Sequence, residues 1–147
     1  MTDTVKPLSR LLREVLAERL DPGAETFVEM FDDDGVLEFP FAIPEPCRAR
    51  GRAEIAHHLE RNARRIEFQD VGDVRVHGTG DPDVVIVDFA GYGRAVETGI
   101  PFEQRYVSII LLRAGRIVQR DNYGGRSSTI KLAKLGECRV ARRRLRA

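Results

Sequence analysis

The sequence predicts an α+β domain, with N-terminal helices packed into a strongly curved antiparallel sheet, and three observations carry that reading. Leu8, Leu11, Leu12, Val15, Leu16 and Leu20 recur at helical spacing and form one apolar stripe. From Ile66 onward the apolar period changes to two and persists, through several runs, as far as Tyr123. Gly72 and Gly91–Gly93 interrupt those runs where a bulge or tight bend would curve a sheet. Helices gathered on one side of an antiparallel sheet define the α+β class. The open end of such a cone is a natural pocket for a small molecule.

The elements follow in order. The first helix runs over the leucine stripe, with Pro7 tolerated in its first turn, and Asp21-Pro22-Gly23 stops it. A shorter helix is expected over Ala24–Phe31, a turn at Asp32-Asp33-Asp34-Gly35, and a short strand over Val36–Phe39. The acidic triplet lacks the alternating ligands and distant Glu of an EF-hand loop, so it reads as a solvated turn. Pro40, Pro44 and Pro46 make the next stretch irregular. Its front end, Phe39-Pro40-Phe41-Ala42-Ile43, is too apolar for a freely solvated loop and is expected to fold over either the core or the mouth of a cavity, with Phe41 as a candidate pocket residue. Arg52–Arg64 is the third helix, burying Ile55, Ala56, Leu59 and Ala63. His58 and Asn62, spaced i and i+4 on the flank of that stripe, are candidate pocket residues. Strands then follow over Ile66–Val76, Val84–Ala95 and the hairpin Phe102–Gly124. Arg126–Gly136 is compatible with a short helix. Residues 1–136 read as one domain and the arginine-rich 137–147 as a flexible tail.

Composition excludes several function classes. The 147 residues carry a net charge of +1, with 42% apolar and 32% charged residues, so no global charge favours nucleic acid or a membrane. The basic tail holds no aromatics for base stacking. No run reaches the roughly 18 apolar residues of a membrane span, and the N-terminus lacks the apolar core of a secretory signal. The expected location is the cytoplasm. Cys47 and Cys138 form neither a disulfide framework nor a CxxC pair. No His/Cys/Asp/Glu cluster has metal spacing, and the chemistry considered below needs no cofactor.

The candidate site centres on the last hairpin. Tyr106–Leu112 and Ile117–Tyr123 flank Arg113-Ala114-Gly115-Arg116, where Gly115 supplies the positive φ of a tight turn. Strict alternation in the second strand puts Ile117, Gln119, Asp121 and Tyr123 on one face, with Val118, Arg120 and Asn122 on the other. Asp121 is then a carboxylate inside an apolar hollow, where burial raises a carboxyl pKa toward neutrality and suits it to acid/base work. Gln104, Tyr106 and Ser108 share one face of the preceding strand. Tyr106, Tyr123, Gln104 or His58 could hydrogen-bond a developing enolate oxygen. Tyr92, between two glycines, is placed at the cavity mouth, and Asp88 is a second acid candidate.

The order helix, helix, short strand, helix, four strands resembles the NTF2-like superfamily, also called the ketosteroid-isomerase-like or SnoaL-like fold. Phe39-Pro40-Phe41, Gly51-Arg52 with Ile55, Gly99-Ile100-Pro101-Phe102 and Arg120-Asp121-Asn122-Tyr123 are similar to stretches of SnoaL-like members. The resemblance covers roughly Leu8 to Leu135. It implies a cone-shaped cavity and, by likeness to SnoaL-type polyketide cyclases, an acidic residue on the late strand at Asp121. Phenazine-biosynthesis proteins of the PhzA/PhzB type resemble this chain in that stretch and in a third-helix histidine at His58. The fold hosts many activities. The function expected is cofactor-independent acid/base chemistry of the isomerase, cyclase or condensation type on a small, mostly apolar carbonyl compound. The alternative is a non-catalytic small-molecule-binding protein. Val107, Ile109, Leu111 and Val118, opposite the Tyr106 face, predict a homodimer through the sheet.

Overall fold

The computed structural model describes residues 3–40, 42 and 45–124. The predicted helix over Arg126–Gly136, the basic tail and Phe41 lie outside the described residues. Helix α1 (Lys6–Leu16) leads into a short 3₁₀ turn at Ala17–Arg19, and a second such turn spans Val28–Met30. Strands β1 (Phe31–Phe39) and β2 (Cys47–Arg50) precede helix α2 (Gly51–Ala63). Four long strands follow: β3 (Ile66–Gly78), β4 (Val84–Ala95), β5 (Pro101–Arg113) and β6 (Arg116–Gly124). All six strands form one sheet in the order β2-β1-β6-β5-β4-β3. Neighbours are antiparallel except β1 and β6, which run parallel.

The leucine stripe behaves as its spacing demands. Leu11, Leu12, Leu16 and Leu20 are buried against Phe31, Val85, Val87, Phe89, Ile110 and Ile117 from the inner face of the sheet. Full burial of each such side chain contributes roughly 1.5–3 kcal/mol, so this contact is the main adhesive between helix and sheet. The α-helix ends at Leu16, earlier than the stripe suggests, because Ala17 turns to φ 46°.

Among the described residues two α-helices form where three were expected before Ile66. Of the helix expected over Ala24–Phe31, only the turn Val28–Met30 is helical. The guanidinium of Arg13 donates to the carbonyls of Ala24 (3.1 Å) and Glu25 (2.6 Å), oxygens that a longer helix would turn toward its own N–H groups. The hydroxyl of Thr26 accepts from the Glu29 N–H and so starts the turn late.

The acidic triplet is not a free turn either. Asp32–Gly35 lies inside β1, where the ladder to β6 slips between Phe31 and Val36. A β-carbon on Gly35 would sit 2.8 Å from the Ile117 carbonyl oxygen, so only glycine lets the two backbones approach this closely. The proline-rich segment yields a strand after all. β2 starts beyond Pro46 and pairs with β1 at the sheet edge, where an irregular approach costs no ladder bonds. Cys47 is buried.

The sheet bends where the glycines predict. The β3–β4 register shifts between Phe68 and Asp70 and again between Gly72 and Arg75. A β-carbon on Gly93 would lie 2.1 Å from the Glu67 carbonyl oxygen and 2.8 Å from the Phe102 ring. Gly93→Ala is therefore expected to cost about 1–3 kcal/mol of stability through overpacking. Urea unfolding of the variant checks this, and an unshifted midpoint would mean that β3 can drift from β4 freely.

Candidate functional site

The β5–β6 turn is as tight as its sequence suggests, with Ala114 at φ 52° and Gly115 at φ 77° between paired Arg113 and Arg116. Leu112 pairs with Ile117, and both are buried on the inner face. The next pair is Leu111 with Gln119, so Val118 is an extra residue with no partner of its own. Without this bulge, Asp121 would face Ser108. With it, Ser108 pairs with Asn122, Ile110 with Arg120, and Ile109 with Asp121. A slip of one residue moves every following side chain to the other face. Arg120 and Asn122 consequently point into the cone, and Asp121 joins Val107, Ile109 and Leu111 on the outer face.

The inner face encloses a cavity of about 110 Å³ between α1, α2 and the sheet. Its walls are Val5, Leu8, Phe27, Leu37, Phe39, Leu59, Ile66, Phe68 and Phe89, with Thr4, His58, Asn62, Tyr106, Arg120 and Asn122 as the polar members. Arg120 is the sole charged side chain among these, and it is 2% exposed. Its Nη2 donates to Ser108 Oγ at 3.1 Å, and Ser108 Oγ in turn donates to Asn122 Oδ1 at 2.7 Å. Its Cζ lies 5.2 Å from the centre of the Phe27 ring, within cation–π range. Its Nε is buried and has no hydrogen-bond partner among the described residues. None of the ion pairs among those residues involves Arg120, whereas Arg48, Arg52, Arg75, Arg94, Arg105 and Arg116 each meet a carboxylate. Burial lowers the Arg120 pKa to about 10, which leaves it cationic at neutral pH.

His58 faces the cavity from α2, 5% exposed, with its ring 5.0 Å from that of Phe39. Burial first, then the positive charges of Arg61 and His57, lower its pKa to about 4, so the imidazole is neutral at pH 7. Tyr106 stacks on Phe89 at 5.3 Å between ring centres, and burial raises its pKa to about 12. It stays a neutral phenol, able to donate a hydrogen bond.

Of the residues singled out in the sequence, His58, Asn62 and Tyr106 come together around the cavity. Ser108 is fully buried beneath Arg120 and holds that guanidinium without lining the space. Gln104 is buried on the same face and does not line it. Tyr123 pairs with Val107 and therefore belongs to the outer face. Tyr92 also lies there, because Val85, Val87 and Phe89 set the inward parity of β4, and its ring covers Gly72. Asp121 is half-buried outside the cone and accepts a 2.6 Å hydrogen bond from Gln119 Nε2. The bulge thus removes the reason for giving it acid/base chemistry, namely a carboxylate in an apolar hollow. Asp88 is ion-paired with Arg105, which also holds Asp73 at 2.6 Å on the outer face. Sequence parity had turned Arg120 and Asn122 outward. The one legible hint was an arginine in mid-strand with no acid at its own parity in β6 to neutralise it. Among the described residues no group of His, Cys, Asp and Glu side chains could hold a metal ion, and no helix is long and apolar enough to cross a membrane.

Two measurements check these electrostatics. The unfolded chain takes up a proton at residue 58 below about pH 6.5, which the folded chain refuses until about pH 4. Stability should therefore be level above pH 6.5 and fall between 6.5 and 4, by at most roughly 3 kcal/mol from this residue. His58→Phe should remove that part of the slope in denaturant titrations across the range. Arg120→Met should raise the unfolding midpoint, corresponding to about 1 kcal/mol or more of added stability, because it deletes an unpaired buried charge. A lowered midpoint would mean that the guanidinium serves the fold.

The geometry can be set beside known proteins. The model of the SnoaL-like domain matches residues 10–120. An uncharacterised protein of Bacillus subtilis, YesE, is 34% identical over 114 residues, 76% of this chain and 77% of its own length. An uncharacterised PhzA/B-like protein of Pseudomonas aeruginosa, PA3332, is 34% identical over 111 residues, 72% of this chain and 78% of its own. The crystal structure of a candidate isomerase from Bacillus subtilis superposes with a TM-score of 0.72 at 28% identity, over 95% of this chain and all of the other. A helix-filled curved sheet, a cavity at its inner face and a matching domain model agree: the chain belongs to the SnoaL-like family and has the NTF2-like fold.

Proposed function

We propose that this protein is a cofactor-independent catalyst of proton transfer, of the isomerase or cyclase type, acting on a small, mostly apolar carbonyl compound held in the cavity. The observation that carries the reading is the pairing of a neutral imidazole with a buried, carboxylate-free guanidinium across an apolar space. Neutral His58 accepts a proton from the carbon beside the carbonyl. Arg120, with Tyr106 as a neutral donor, faces the oxygen on which negative charge develops. The proton moves within the cavity, so its net charge is unchanged. The nascent enolate also raises the affinity of His58 for that proton, which offsets the low starting pKa. Returning the proton to a different atom completes an isomerisation or sets up a ring closure. Candidate-isomerase relatives of the same fold are consistent with this class.

Among the described residues no Asp or Glu lines the cavity, which favours a second reading, a pocket that binds without turnover. For the outer face we propose pairing with a second copy of this chain. Val107, 38% exposed, with half-buried Ile109, Leu111 and Val118, forms an apolar stripe beside the Arg105–Asp88 pair. Sedimentation should show a dimer at micromolar concentration, and a monomer would remove the proposal.

Turnover is tested by incubating the protein in heavy water with a panel of small enolisable ketones and oxo acids, and following loss of the α-proton signals by NMR. Exchange is expected with wild type, slowed on the order of 100-fold or more by His58→Gln and unaffected by Asp121→Asn. Equal exchange in wild type and His58→Gln would rule out the imidazole. Loss of exchange in Asp121→Asn alone would return the role to the outer carboxylate. Binding without exchange throughout the panel would establish the second reading.

A further inference from the structure

We propose that the natural ligand is an anion, a small apolar skeleton bearing one carboxylate, and that this carboxylate docks on Arg120. The inference rests on the cavity being the ligand site and specifies what enters it. A guanidinium 2% exposed in a mostly aromatic and aliphatic chamber costs stability unless a counter-charge arrives. Among the described residues, Arg48, Arg52, Arg75, Arg94, Arg105 and Arg116 each meet a carboxylate, and Arg120 meets none. Asp121 and Glu38, which share a register position on β6 and β1, both point away from the cavity. Glu38 meets Arg48 on that outer side. The guanidinium is also held in place. Ser108 takes one Nη2 hydrogen and Phe27 covers the plane, while Nε is left without a partner among the described residues. Asn122, oriented by the Ser108 hydroxyl, lines the cavity beside it. A planar fork fixed from behind, with donors unspent, suits the two coplanar oxygens of a carboxylate.

The charge count narrows the class further. One guanidinium neutralises one negative charge. A phosphate monoester would bring close to two at neutral pH and leave the second uncompensated among Leu37, Phe39, Phe68 and Phe89. A neutral ketone or amide would leave the cation itself uncompensated. A monocarboxylate with an apolar body fits both the single charge and the walls. An oxo acid of this kind also supplies the enolisable carbon that the proposed chemistry requires; with its carboxylate on Arg120, the enolate oxygen is left to the Tyr106 hydroxyl, and its charge is balanced by the imidazolium that forms as His58 takes the proton.

Calorimetry decides the matter with defined probes: butanoate, cyclohexanecarboxylate and benzoate, their primary amides, and phenyl phosphate. Wild type is expected to bind at least one acid, and to prefer it over its amide by about tenfold or more. Arg120→Met should abolish that preference with an unfolding midpoint no lower than wild type, so that misfolding does not mimic the result. His58→Gln should retain the preference, because it leaves the guanidinium in place. Amides binding as well as acids, a preference surviving Arg120→Met, stronger binding of phenyl phosphate, or no binding of any acid would each overturn the inference. Acid preference without α-proton exchange would sink only the catalytic reading. Exchange confined to neutral ketones would sink only the carboxylate.

Discussion

Arg120 brings a full positive charge into the interior of the domain, and the arrangement of the inner face can be read as the means of tolerating it. Ser108 sits directly across the ladder step beside it and accepts one of its hydrogens. Phe27, from the segment between α1 and β1, covers the guanidinium plane. Ser108 passes a second hydrogen bond to Asn122, so three polar side chains are locked in one chain of donors and acceptors. A network of this kind is stiff because each broken link strands a buried polar atom. Stiffness is what a binding site needs from its charged end. The residual cost, an unpaired cation, is of the sort that functional sites carry at the expense of stability.

The outer face of the same sheet obeys the opposite rule. Arg105 is saturated by Asp88 and Asp73, Arg94 by Glu67, and Glu38 lies against Arg48. Beside Arg105, β5 carries the apolar residues Val107, Ile109 and Leu111. Alternation within a single strand therefore separates two electrostatic environments only a side chain's length apart. In β6 the same alternation sends Arg120 and Asn122 to the cavity, with Gln119 and Asp121 to the far side. The shape of the cavity depends on the glycines of β4. A β-carbon on Gly91 would strike the rings of Phe68 and Tyr106, at 2.7 and 2.8 Å. Its absence lets those two aromatic walls close in beside the polar end.

Much of this was legible in the residues. The leucine stripe gave α1, the period-two runs gave β3 to β6, and Ala114-Gly115 gave the tight hairpin. The spacing of His58 and Asn62 brought both to the cavity. Local competition explains the failures. Arg13 drew the carbonyls of Ala24 and Glu25 away from a second helix, and the close approach at Gly35 absorbed an acidic turn into β1.

The sequence by itself determined α1, α2, the long strands β3 to β6 and the inward face of β5, because periodicity and turn residues act over a few positions. Only the tertiary structure decided which half of β6 looks inward. Val118 is the unmatched residue, and nothing in its side chain marks it as such. Leu112 and Ile117 are both buried at the turn, and Ile110, two residues back along β5, is paired with buried Arg120, three residues on along β6, so one residue of β6 has to be left over. Parity is a local property of a strand, but register is settled by the core as a whole.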